Sequence, residues 1–112
     1  MTPTLNRRLK LETVYRTRDD AGGYSETWQV VGELWASLKP GTGRETELGG
    51  LTLSKVPYRI TVRAAPHGAV SRPVAGQRFR DGERVFKITA VTEADAKARY
   101  LTCFALEEEV AA

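Results

Sequence analysis

The clearest alternation along the chain is "PYRITVRA" (57–64), where Tyr58, Ile60, Val62 and Ala64 interleave with Arg59, Thr61 and Arg63. A period of two puts the apolar set on one face of a strand and the polar set on the other, as expected where a sheet is wet on one side. Upstream, "LKLETVYR" (9–16) and "TWQVV" (27–31) flank "DDAGGYS". This predicts a first hairpin whose loop, residues 19–25, uses Gly22 and Gly23 for positive φ. Gly32 interrupts the run before "ELWASLK", a further strand with Leu34, Ala36 and Leu38 inward and Trp35 outward.

Downstream, "RFRDGERVFKITAV" sets Asp81-Gly82 between two strand-like runs, a strong hairpin signal. Phe86, Ile88 and Ala90 then alternate with Lys87 and Thr89. "TEADAKA" (92–98) reads as a connector with a helical turn, and "RYLTCFALEE" as a last strand, apolar on both sides and central in its sheet. Short strands separated by turn signals, with no long 3.6-residue period and no internal repeat, predict a mainly β fold. The expected form is a small antiparallel barrel or sandwich of about seven strands with little helix, in one domain spanning 1–112.

One segment breaks the pattern. Residues 40–56, "PGTGRETELGGLTLSKV", hold four glycines, mixed charges and scattered apolar positions. At 17 residues the segment exceeds the roughly 12–15 beyond which structureless connections are uncommon and usually functional or disordered. It reads as a flexible arm: either a β-arm in which residues 46–53 extend the flanking strands, or a mobile loop that orders on contact with a partner. A tolerated insertion without a role is the bland alternative.

Composition narrows the classes. With 112 residues, 41% hydrophobic and 28% charged, the chain is sized for one core. No apolar run approaches the ~20 residues of a membrane span, and "MTPTLNRRLKLETVYR" lacks a secretory pattern, so a cytoplasmic origin without membrane contact is expected. The single cysteine, Cys103 in "YLTCFAL", reads as a packed thiol. The net charge of +3 is unevenly placed. Arg7, Arg8, Lys10, Arg16 and Arg18 face only Glu12 in the first 18 residues, whereas Glu107, Glu108 and Glu109 make the end acidic. These are either solvated termini or complementary interface patches. On the second view Arg7, Arg8, Lys10 and Glu107–109 are interface residues, and removing residues 107–112 leaves the fold nearly intact.

Catalytic chemistry is hard to find. His67 is the only histidine and sits in "APHGAV", which argues against a histidine metal site. No Cys/His metal spacing and no G-x-S-x-G occurs. "GTGRETELGG" has neither the third glycine of a dinucleotide fingerprint nor the Gly-Lys-Ser/Thr ending of a P-loop. No enzyme activity, metal or cofactor is expected. Nucleic-acid binding is a stronger rival: Arg59, Arg63, Arg72, Arg78, Arg80, Arg84 and Lys87 fall in or beside strands, as on OB-type barrels that hold single strands. Against it, the aromatic residues fall mostly in inward phases.

The order of these elements, with Trp28, Trp35-Ala36, Gly43, Glu45, Arg63, Gly82 and "FKITAV" in sequence, resembles the head-tail joining family of tailed phages and phage-derived gene transfer agents. These are head-closure or stopper proteins. The resemblance spans about residues 5–108, with the alanine-rich "TEADAKA" as a departure. It implies a structural neck protein in a virion or phage-like particle assembled in the bacterial cytoplasm, forming a cyclic ring of six or twelve copies. The ring would sit beneath the portal adaptor, hold packaged double-stranded DNA in its channel and dock a tail terminator or tail tube protein. By similarity the gate is the arm, with Thr42, Gly43, Arg44, Glu45, Thr46, Glu47, Leu48, Gly49 and Gly50 at its tip. A tail terminator or other neck protein of similar fold, and an OB-like nucleic-acid-binding module, remain alternatives.

Overall fold

The computed structural model describes the backbone of residues 2–41, 44–48 and 51–111 and the side chains of residues 2–41 and 56–107. Seven strands form one antiparallel sheet: β1 (Arg7–Arg18), β2 (Tyr24–Pro40), β3 (Arg44–Leu48), β4 (Leu51–Arg63), β5 (Arg78–Asp81), β6 (Arg84–Glu93) and β7 (Tyr100–Ala111). Their order is β2-β1-β5-β6-β7-β4-β3, and β2 also pairs with β4. That extra ladder closes six strands into a barrel. β3 lies outside the closed ring and pairs only with the first part of β4.

Inward-facing residues of all six barrel strands fill the interior. Leu9, Leu11, Ala36, Ile60, Val62, Phe79, Phe86, Ile88, Leu101, Cys103 and Ala105 form one buried cluster. The phases read from sequence for 58–64 and for Ala36 hold, with Ile60 and Val62 buried and Trp35 exposed. Burial of the Cys103 side chain pushes its thiol up to about 12, which makes it a packing group and not a nucleophile.

Several expectations are corrected. Gly32 does not end a strand: β2 runs through it for 17 residues, because a bulge absorbs the irregularity. Leu11 faces Gly32 while Glu12 faces Val30, so Val31 has no partner across the ladder. A second bulge lies in β6, where Ile88 faces Ala105 and Ala90 faces Phe104. Thr89 is the extra residue, the phase inverts beyond it, and Val91 packs on the core while Ala90 is exposed. Residues 94–99 form a turn and not a helix. The Asp95 carboxylate accepts hydrogen bonds from the Arg99 and Tyr100 amides, and Ala98 takes φ 54°. The strand β7 is central, between β6 and β4, yet buried on one face only, with Phe104 37% exposed.

The radius of gyration is 15.5 Å, above the roughly 13 Å of a compact chain of this length. Two projections account for the excess. One is the β1–β2 hairpin, which runs on past the short β5; the other is the sheet of β3, β4 and β7 beyond the barrel mouth.

Candidate functional site

The arm grows directly out of the barrel wall. Residues 44–48 of β3 pair with 51–55 of β4, from Arg44 opposite Lys55 to Leu48 opposite Leu51. The other edge of β4 pairs with β7, from Thr52 opposite Ala111 to Val56 opposite Glu107. Two barrel strands therefore continue without interruption into the arm. Thr42, Gly43, Gly49 and Gly50 lie outside the described residues, as do the side chains of Arg44, Glu45, Thr46, Glu47, Leu48, Glu108 and Glu109.

At the arm's root the barrel mouth is closed by an ionic cluster. Arg84, at the start of β6, donates to both carboxylate oxygens of Glu107 at 2.7 and 3.0 Å and to the Tyr58 hydroxyl at 3.0 Å. Tyr58 meets Phe86 edge to face at 5.0 Å, and the guanidinium stands 5.0 Å from the Phe86 ring. The Arg84 hydrogen bonds hold the Glu107 carboxyl below its usual range, against the opposing effect of burial. Arg84 is raised in return, chiefly by its hydrogen bonds to Glu107. Glu107, expected at an interface, is 7% exposed in the single chain, where its charge is paired with Arg84. Nor is the acidic end separable from the fold, since its backbone forms the β4–β7 ladder.

Two of the amino-terminal cations are also engaged. Arg7 pairs with Asp81, and Arg8 with Glu33 at 2.6 Å. Lys10 is exposed and faces Arg80 across the β1–β5 ladder. On the same side, Glu12 is buried on the outer wall, where Arg78 donates to it at 2.6 Å while lying over Trp28 at 4.0 Å.

The opposite wall, formed by β2, β4, β7 and β6, has a different chemistry. The registers set three rows on its outer face: Pro57–Leu106–Lys87, Lys39–Arg59–Phe104–Ala90 and Ser37–Thr61–Thr102–Thr92. A groove of about 540 Å³ runs along the first two rows, ending at Pro40 and Gly41. The β6 bulge shapes it, since the Thr89 hydroxyl donates to the Phe104 carbonyl at 3.1 Å. Gly41 lets the chain approach closely at the far end: its amide donates to the Pro57 carbonyl at 2.7 Å, and a Cβ there would stand 3.2 Å from Pro57 Cγ. The sequence reading missed this groove, because it depends on strands far apart in the chain. Outward aromatics are also more numerous than the alternation suggests: besides Trp35, whose outward phase is legible, Tyr15, Tyr24 and Phe104 are exposed.

Among the described residues no three potential metal ligands cluster, and His67 is exposed in the loop between β4 and β5. The chain matches the family model described as phage head completion protein over residues 1–109. It belongs to the phage head completion protein family. Among solved structures, a chain from the virion of a native gene transfer agent particle is 51% identical, with a TM-score of 0.90 over 98% of this chain and 100% of that one. A protein of Shigella flexneri 2a, solved in solution, is 26% identical with a TM-score of 0.62 over 92% of each chain. No curated protein matches.

Proposed function

We propose that the chain is a subunit of a neck ring that closes the DNA channel of a phage-like particle beneath the portal and its adaptor, and that offers the surface on which the tail docks. The observation that carries this reading is the arm at residues 40–56, held by two strands that are also barrel wall. A ring built of such subunits fixes the root of every arm rigidly at the same radius, so several tips meet near the axis. The tip sequence mixes Arg44, Glu45, Glu47 and Lys55. Mixed charges favour contacts between neighbouring arms, whereas a strongly basic tip would adhere to the phosphate backbone and hinder DNA passage.

A cyclic ring joins two different patches of each subunit. Arg7, Arg8 and Lys10 on one patch and Glu108 and Glu109 on the other are the complementary groups in this reading, with Arg7 and Arg8 also meeting Asp81 and Glu33 and Glu107 meeting Arg84 within the chain. Cryo-electron microscopy of particles tests the whole arrangement. The expected density is a ring between adaptor and tail with residues 40–56 turned into the channel. Arms pointing outward would overturn the gate, and a position at the tail end would make the chain a tail terminator. Absence from particles together with tight single-strand binding would favour the OB-type reading. A functional check replaces Glu45 and Glu47 by Gln together: head assembly should persist, while DNA retention and ejection both change.

A further inference from the structure

The three rows on the outer face of β2, β4, β7 and β6 carry cations and exposed aromatic surface and, among the residues whose side chains are described, no carboxylate. Lys39, Arg59 and Lys87 lie in the first two rows and Arg63 stands opposite Tyr100 beyond the third. None of these four is in an ion pair with a described residue. The other side of the barrel differs. Arg7, Arg8, Arg16 and Arg78 are each matched to a carboxylate of the same chain. Four cations on that side have carboxylate partners, although Lys10 there has none, while Lys39, Arg59, Arg63 and Lys87 have none among the described residues.

The unmatched wall is also the one with the groove. Its floor is apolar, made by Pro57, Leu106 and the Phe104 ring, and the Arg59 guanidinium stands 6.0 Å from that ring's centroid. We propose that this face is a docking surface for an acidic segment of a partner protein, which seats one apolar side chain in the groove between Pro57, Phe104 and Leu106 while its carboxylates meet Lys39, Arg59 and Lys87. Charge complementarity selects the acidic partner, and the apolar floor selects protein over nucleic acid. Nucleic-acid interfaces are far more densely positive than three cations around two prolines and a leucine, whereas protein interfaces favour aromatic and arginine anchors in an apolar centre. The surface is independent of the arm and of the gate assigned to it.

The test has two arms. In the first, backbone amide shifts of the intact protein are followed by NMR during addition of an acidic octapeptide with one central leucine. Controls are the same peptide with serine for leucine and a ten-nucleotide oligo-dT. The expected result is shifts confined to Arg59, Lys87, Thr89, Phe104 and their neighbours. Affinity should fall at least tenfold for the serine peptide, for Lys39→Glu/Arg59→Glu and for Phe104→Ala, with the melting temperature unchanged for the exposed Lys39 and Arg59 and lowered, without loss of folding, for the 37% exposed Phe104. No shifts at millimolar peptide, shifts indifferent to the charge reversals, or oligo-dT acting on the same residues at lower concentration would each overturn the proposal.

In the second arm a photo-cross-linking amino acid replaces Phe104 in particles verified to contain the chain, and the linked peptide is sequenced. An acidic segment of a different protein, with an apolar residue at the link, supports the docking surface. A link to DNA, to another copy of this chain, or to nothing overturns it.

Discussion

Glu107 shows how one carboxylate changes its meaning with its phase. In sequence it opens a run of three acids, and a run of acids at a chain end reads as solvated. Yet Leu101, Cys103 and Ala105 precede it at intervals of two and all are buried, so the alternation itself points Glu107 inward. The sequence held that signal; what it lacked was Arg84, which only the β6–β7 register brings alongside. Replacing Glu107 by Gln is expected to cost about 1.5–3 kcal/mol at pH 7, the range for hydrogen bonds to charged groups. Because the folded carboxyl titrates below its unfolded counterpart, its contribution is full above the unfolded pKa of about 4.3 and fades as pH falls through the folded value. Melting curves from pH 7 to pH 3 should therefore converge for wild type and Glu107→Gln. A gap that widened on acidification would refute this assignment.

Among the elements, turns and uninterrupted alternations were legible and bulges were not. Asp81-Gly82 forms the predicted hairpin, with Asp81 opposite Arg84 and Gly82 at φ 62°. No atom crowds a Cβ at Gly82, so Gly82→Ala should cost only backbone strain, about 1–2 kcal/mol, measurable as a lowered denaturation midpoint with an unchanged slope. The phase of Ala90 was misread because a single inserted residue, Thr89, inverts everything after it, and nothing in "FKITAV" marks the insertion. Gly32 misled in the opposite direction. It reads as a break, but the sheet takes up the irregularity as a bulge that leaves Val31 without a partner. "TEADAKA" has helical propensity in its alanines, but seven residues are too few to offset nucleation, and the Asp95 carboxylate secures a turn instead.

Across the whole molecule, the fold class and the family followed from the order of strands and turns. The contrast between Arg7, Arg8 and Arg78, which have carboxylate partners, and Lys39, Arg59 and Lys87, which have none among the described residues, did not. Net charge is a sum, and a sum of +3 is silent about which cations have partners. That contrast predicts a salt dependence: docking through the unmatched wall should weaken as ionic strength rises, while the melting temperature, supported by partly buried pairs such as Arg78–Glu12, changes little.

The continuity of β4 and β7 from wall to arm bears on how the protein comes into being. β7 pairs with β6 on one edge and on the other with β4, whose partners lie from 37 residues (Arg63 and Tyr100) to 59 residues (Thr52 and Ala111) earlier in sequence. Until residues 100–111 have been synthesised, the ring of strands stands open and the long edge of β4 is bare, an invitation to mispairing with a neighbouring nascent chain. Closure and the building of the arm's root are then a single late event. A copy that has not finished folding therefore lacks the β7 edge that supports the β3–β4 ladder where it leaves the barrel.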